Sequence, residues 1–142
     1  MPTEFSAKIA RTKLKKLGYR GIDTGEVQLE NVKVPKSNLI GKIEGKGLKQ
    51  ILAGLELGRI NVAARGVGVA RASLDDSIEY AKTRKTFGKP LIDNQVIKHK
   101  LVEMNRVVRT SRAWTELLSW RVMNGESPIA DLAMLKVHAS KA

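Results

Sequence analysis

A chain of 142 residues, 42% of them hydrophobic, is long enough for one packed core and too short for two well-developed ones. Its formal charge of +12 indicates an anionic partner, either nucleic acid or a phosphate-rich cofactor. The absence of cysteine excludes disulfides, thiolate metal sites and a cysteine nucleophile. No apolar run approaches the roughly 20 residues that span a bilayer, so we expect a soluble intracellular protein.

β structure is predicted near the start of the chain. Residues 12–35 are basic, then rich in glycine, and then alternate in the manner of a strand. Val27 and Leu29 share one face, whereas Val32 and Val34 follow the other parity. This one-residue change in the alternation of apolar positions predicts a bulge or turn between Leu29 and Val32.

A long helix is predicted after a glycine-rich linker at residues 41–47, where the domain boundary is also expected. From Leu48 the apolar residues recur at helical spacing as far as about Arg84. Each glycine inside a helix costs about 1 kcal/mol relative to alanine, so close helix contact or a ligand must offset the loss. The glycines concerned are Gly54, Gly58, Gly66 and Gly68.

Two further helices are predicted. The apolar stripe from about Asn94 to Val122 is broad, which indicates a helix that is packed on more than one side. Ser127 and Pro128 then provide the N-cap and the first position of a third helix, which is expected to continue through Ala142.

No metal site is predicted. His99 and His138 lack nearby carboxylates at ligand spacing, so both are interpreted as helix-surface or core histidines. Residues 66–71 begin like a dinucleotide-binding fingerprint, but no predicted strand precedes them. A tightly packed helix is the better interpretation.

The most specific pattern follows the first predicted helix. It is the string Arg84-Lys85-Thr86-Phe87-Gly88-Lys89-Pro90-Leu91, followed by Gln95. This string resembles the R-x-x-F-G-x-x-[LI]-x-x-x-Q signature of acyl-CoA dehydrogenases. Residues 16–24, 29–35 and 56–60 resemble other segments of that family in the same order, although Asn31 replaces the usual Asp. Four ordered matches are far less likely by chance than one.

The resemblance implies a mainly α fold, in which the long antiparallel helices of a truncated four-helix-bundle domain follow a short β-domain remnant. Residues 1–44 are the expected remnant of the middle β-domain. Residues 45–142 are the expected first part of the C-terminal helical bundle.

The resemblance also implies a bound FAD. In the family the Arg of the signature reaches the FAD pyrophosphate of a neighbouring subunit, a role that falls on Arg84 and suits its planar guanidinium. An alternative role for Arg84 and Lys85 is to complement the dipole at the helix C-terminus. The cofactor-binding residues implied by the resemblance are Arg84, Lys85, Thr86, Phe87, Asn94 and Gln95.

Family members desaturate acyl-CoA thioesters at the α,β position. The resemblance places the acyl-CoA channel beside Glu56, Leu57, Gly58 and Arg59, for which an ordinary helix surface is the alternative. In most members the catalytic Glu lies in a later loop, and in a few it precedes the Arg that aligns with Arg59. Gly58 stands at that position, so no residue of this chain is predicted to be the base, and the fragment alone is expected to be inactive.

Partners and location follow from the same resemblance. It implies an acyl-CoA substrate, an electron-transferring flavoprotein as electron acceptor, and a homo-oligomer, either a tetramer or a dimer. The expected location is the bacterial cytoplasm, or the mitochondrial matrix in a eukaryote, with no membrane span and no nucleic acid. Two alternatives stay open. One is a basic helical module that binds nucleic acid, and the other is a catalytically silent structural paralogue.

Overall fold

The computed structural model describes residues 14–29 and 32–142. The chain divides into two compact units, Met1–Gly47 and Leu48–Ala142. In the described part of the first unit the backbone is mostly extended or turned, with two short 3-10 helices at Lys36–Asn38 and Ile40–Lys42. The second unit is helical.

The predicted strand does not form within the described part of the first unit, where β structure is limited to a single bridge at Gly25. The bulge expected between Leu29 and Val32 falls on residues 30 and 31, which lie outside the described residues. Val27 and Leu29 are extended but highly exposed. An alternating sequence alone does not form a strand, because a neighbouring strand must also form hydrogen bonds with its backbone N–H and C=O groups.

Three α-helices confirm the mainly α fold class. They are joined by a two-stranded antiparallel hairpin, a 3-10 turn and a short loop. In chain order these elements are α1 (Gly47–Thr83), β1 (Lys85–Thr86), β2 (Lys89–Pro90), the 3-10 turn Leu91–Asp93, α2 (Gln95–Met123) and α3 (Ile129–Ala139).

The third helix differs from its prediction at both ends. It begins at Ile129, and Pro128 occupies the cap position without a side-chain cap bond, so Ser127 is not the N-cap. It ends at Ala139, with Ser140 as the C-cap, and therefore does not continue through Ala142. The Ser127 hydroxyl forms a different bond, described below.

The core of the helical unit lies where α3 packs against α1 and α2. Leu132 and Leu135 of α3 are buried against Ala63 of α1 and Leu118 of α2. Their large apolar side chains supply most of the stabilisation by leaving water. The close approach of α3 to α1 also explains one of the four helix glycines. A Cβ on Gly66 would lie 2.3 Å from the Ala139 carbonyl oxygen.

The other three helix glycines have no such contact. A Cβ on Gly54, Gly58 or Gly68 would meet no atom within 4 Å. Close helix packing therefore offsets the glycine cost only at Gly66. None of the described helices is long and apolar enough to cross a membrane. The described residues also hold no cluster of side chains suited to a metal ion.

Candidate cofactor and substrate sites

The predicted cofactor residues lie in the connection between α1 and α2, which begins with the β1–β2 hairpin. Arg84 stands at its base, because its backbone N–H donates to the Tyr80 carbonyl (2.9 Å) and its carbonyl accepts from the Leu91 N–H (2.8 Å). Lys85 pairs with Pro90 across the strands. Arg84 is thus fixed by backbone bonds at the end of α1.

The tip of the hairpin is a two-residue turn with left-handed backbone at both positions. Phe87 has φ 51° and Gly88 has φ 76°, as a type I′ hairpin requires. Glycine adopts this conformation freely, whereas for phenylalanine it is strained. The Phe87 side chain is also 100% exposed. Backbone strain of this kind clusters at ligand-binding and other functional positions.

The arginines of the helical unit fall into two groups. In the first, each guanidinium bonds a side chain of the unit, as Arg71 does with Asp75 (2.8 Å) and Arg112 with Glu116 (2.7 Å). Arg106, Arg109 and Arg121 belong to the same group, and Arg65 also has an interaction partner.

Arg59 and Arg84 form the second group. Across residues 14–29 and 32–142, neither guanidinium makes a hydrogen bond or ion pair. These two arginines are the ones that the resemblance assigns to substrate and cofactor. A guanidinium without a carboxylate partner keeps its full set of donors for an anionic ligand.

The remaining cofactor candidates differ in the exposure of their side chains and in the hydrogen bonds that they already form. The Thr86 side chain is half-buried within β1, whereas Lys85 and Gln95 are exposed. The Asn94 amide is already engaged, because its Nδ2 donates to the Leu91 carbonyl (3.2 Å). Asn94 therefore supports the start of α2 and keeps its Oδ1 and its second Nδ2–H for other partners.

The predicted substrate residues lie on the N-terminal half of α1. Glu56, Gly58 and Arg59 are half-buried, and Leu57 is exposed. The open space around Gly58 leaves room for a ligand beside the helix. At 1.5 Å per residue, Arg59 lies roughly 36 Å along α1 from the end of that helix, where Arg84 follows. The two predicted groups are therefore separate sites.

The sequence did not reveal that Ser127 contacts one of the predicted substrate residues. Its hydroxyl donates to Glu56 Oε2 at 3.1 Å, across 71 residues of sequence. The adjoining turn is held by Arg121, which bonds Glu126 (2.7 Å) and Asp131 (2.8 Å). The hydrogen bonds that Arg121 donates to the Glu126 and Asp131 carboxylates raise its pKa above the ordinary value. Ser-Pro before a helix is typical of a cap, so no sequence signal indicated a contact with α1.

Comparison with known proteins identifies the family. A family model described as "Acyl-CoA dehydrogenase, C-terminal domain" matches residues 45–142. The chain belongs to the acyl-CoA dehydrogenase family. The resemblance found in the sequence is thereby confirmed, and the protein family is one of oxidoreductases.

Individual acyl-CoA dehydrogenases agree with this assignment. The chain is 38% identical over 141 residues to a probable acyl-CoA dehydrogenase of Bacillus subtilis, covering 99% of this chain and 37% of that protein. It is 37% identical over 131 residues to the human mitochondrial short-chain specific acyl-CoA dehydrogenase, covering 89% of this chain and 31% of that protein.

A solved structure gives the same result. Butyryl-CoA dehydrogenase from Megasphaera elsdenii superposes with a TM-score of 0.84 at 36% identity, over 96% of this chain and 35% of that one. The chain thus spans about a third of the length of the relatives it matches. These similarities give no support to a nucleic-acid-binding module or to a silent paralogue.

Proposed function

We propose that this chain is the part of an FAD-dependent acyl-CoA dehydrogenase that supplies cofactor contacts at one end of α1 and substrate contacts at the other. The observation that carries the proposal concerns Arg59 and Arg84. Their guanidinium groups have no partner among residues 14–29 and 32–142, whereas the other arginines of the helical unit have partners. Both would serve anionic ligands.

At the cofactor end, Arg84 binds the pyrophosphate of an FAD held by a neighbouring subunit. Its planar guanidinium offers two parallel donors to a phosphate, an arrangement that is stronger and more directional than a single neutral hydrogen bond. Lys85 adds positive charge, and the exposed ring of Phe87 packs against the cofactor. The residues present therefore fit a dinucleotide with a doubly charged centre.

The other cofactor candidates complete the same surface. The Thr86 hydroxyl can donate to phosphate. Gln95, exposed at the first position of α2, bonds the adenosine half of FAD. Asn94 contributes through Oδ1 or its second Nδ2–H, since its first Nδ2–H already bonds the Leu91 carbonyl.

The reaction proposed for the complete protein is α,β-desaturation of an acyl-CoA thioester. A base removes the α-proton, the β-hydrogen leaves as hydride, and a carbon–carbon double bond forms between the two positions. When bound, FAD supplies the oxidant that accepts the hydride, and an electron-transferring flavoprotein removes the electrons afterwards. The residues of this chain bind and orient ligands, and none is proposed as the base.

At the substrate end, Glu56, Leu57, Gly58 and Arg59 border the acyl-CoA. The space beside Gly58 admits the acyl-CoA close to the helix backbone. Arg84 contributes to a neighbouring subunit, so the proposal requires a homo-oligomer, a dimer or a tetramer. The proposed location is the bacterial cytoplasm or the mitochondrial matrix.

The 142-residue chain alone is expected to show no acyl-CoA dehydrogenase activity. Gly58 carries no carboxylate at the position where some family members place the base, and Glu56 lies about 200° around the helix from Gly58. The assay combines the chain with FAD, a series of acyl-CoA esters and an artificial electron acceptor. Turnover above a protein-free control would require a base elsewhere in this chain and would contradict the assignment.

The proposed function is tested in the complete protein, over the length of its relatives. Adding a saturated acyl-CoA under anaerobic conditions is expected to bleach the absorbance of bound flavin, because hydride transfer reduces it. Binding to random DNA is measured in parallel, over a range of salt concentrations. A flavin-free protein that binds DNA with a steep loss of affinity as salt rises would overturn the proposal.

A further inference from the structure

Asn94 has an unusual bonding pattern for the residue that precedes α2. An asparagine at an N-cap usually accepts a hydrogen bond at Oδ1 from a backbone N–H of the first helical turn. Asn94 stands at the N-cap of α2, yet its side chain makes no such bond to this helix, all of whose residues the structure describes. Instead its Nδ2 donates backwards to the Leu91 carbonyl at 3.2 Å. The side chain therefore makes a contact other than a helix cap.

The Leu91 backbone connects Asn94 with Arg84. The Leu91 N–H donates to the Arg84 carbonyl at 2.8 Å. The Leu91 carbonyl accepts from Asn94 twice, from the backbone N–H at 3.0 Å and from Nδ2 at 3.2 Å. Because a carbonyl oxygen can only accept, the Asn94 amide must present its nitrogen here. Hydrogen bonds on both sides of Leu91 thus tie Asn94 to the backbone of Arg84.

Asn94 is also the residue from which α2 starts. Its carbonyl accepts from the N–H groups of Ile97 (3.0 Å) and Lys98 (3.1 Å), and Gln95 is the first residue of the helix. The half-buried Asn94 therefore joins Arg84, at the base of the hairpin, to Gln95, at the start of α2. These are the two residues proposed to bind the pyrophosphate and the adenosine half of one FAD.

We infer that Asn94 is a positioning residue, which fixes Arg84 relative to Gln95 so that both reach the same FAD. This inference rests on the proposed function, which assigns the two residues to that cofactor. Two contacts with one ligand reinforce each other only when the protein holds them at the spacing of the ligand's groups. Without the Nδ2 bond, only backbone hydrogen bonds connect the hairpin to α2. The larger part of the Asn94 contribution to FAD binding therefore passes through Arg84.

The inference is tested by titrating the complete apoprotein with FAD. Asn94→Ala is expected to raise the Kd for FAD about two- to tenfold, the range of one neutral hydrogen bond. Asn94→Ser removes the amide but keeps a donor for the carbonyl three residues earlier, as Ser140 donates to Val137 at 3.2 Å. This variant is expected to retain most of the wild-type affinity.

Asn124→Ala is the matched control at the other end of α2. The Asn124 Nδ2 donates to the Trp120 carbonyl at 2.8 Å, a bond of the same kind that lies in neither proposed site. Its loss is expected to lower the thermal stability of the protein and to leave the Kd for FAD at the wild-type value. A general loss of stability is thereby separated from a loss of positioning.

A double-mutant cycle with Arg84→Ala distinguishes positioning from direct contact. Once the Arg84 side chain is removed, its spacing from Gln95 no longer matters, so Asn94→Ala is expected to raise the Kd little further. An equal rise in both backgrounds, a Kd for Asn94→Ser as high as that for Asn94→Ala, or a wild-type Kd for Asn94→Ala would overturn the inference. A wild-type Kd for Arg84→Ala would overturn the proposed cofactor site instead, so the two failures are distinct.

Discussion

Gly66→Ala is expected to destabilise the helical unit by about 1–3 kcal/mol, the usual cost of overpacking a core. The added methyl group would lie 2.3 Å from the Ala139 carbonyl oxygen and 3.0 Å from its carbonyl carbon. Both are backbone atoms of α3, so no flexible side chain can move aside. α3 must shift, and the contacts of Leu132 and Leu135 in the core shift with it.

Gly68→Ala is the matched control on the same helix. Its added methyl group meets no atom within 4 Å, and alanine is the better helix former. A gain of about 0.5–1 kcal/mol is therefore expected. The measurement is thermal unfolding of the 142-residue chain, followed by far-ultraviolet circular dichroism. Equal shifts for the two variants would contradict the close packing of α3 on α1.

The helices could be predicted from sequence because their signal is periodic and long. The apolar positions of α1 and α2 repeat over many turns, and both helices end within one or two residues of their predicted limits. Gly125, with its positive φ, ends α2 in the manner that glycine commonly does. The structure of the short N-terminal segment was harder to predict, because strand formation depends on neighbouring strands that the segment's own sequence does not specify.

Features set by contacts between distant segments could not be predicted. The sequence suggested that Gly66 was packed closely, but the contact with Ala139 depends on the tertiary position of α3. Ser127 has the sequence context of a helix cap, and only the fold brings it to Glu56. The hairpin between α1 and α2 was missed, because its strands are two residues long and its turn places phenylalanine at positive φ.

The position of the candidate cofactor residues along the chain could be predicted from the sequence, whereas their binding roles stay predictions. The signature string identified Arg84 through family resemblance, and its location at the end of α1 agrees with that reading of the chain. Sequence could not show that the Arg84 guanidinium has no partner among the residues that the structure describes, whereas Arg71 and Arg112 have one. Pairing depends on side-chain geometry around each helix. The roles of Arg84 and Arg59 in binding stay predictions that experiment must test.

Arg84→Ala is expected to weaken FAD binding roughly tenfold to more than a hundredfold in the complete protein. The loss corresponds to a charge-assisted contact of about 1.5–3 kcal/mol. Arg84→Lys is expected to recover only part of the affinity, because a point charge cannot reproduce the planar fork at a pyrophosphate. If Arg84 only complements the dipole at the end of α1, both variants lose a little thermal stability and keep their flavin.

The ratio of flavin absorbance to protein after extensive dialysis measures this difference most directly. Arg71→Ala is the control, since that arginine is paired with Asp75 on the same helix and belongs to neither proposed site. We expect full flavin retention in the wild type and Arg71→Ala, partial retention in Arg84→Lys and the lowest in Arg84→Ala. Equal retention in the wild type and Arg84→Ala would remove Arg84 from the FAD site.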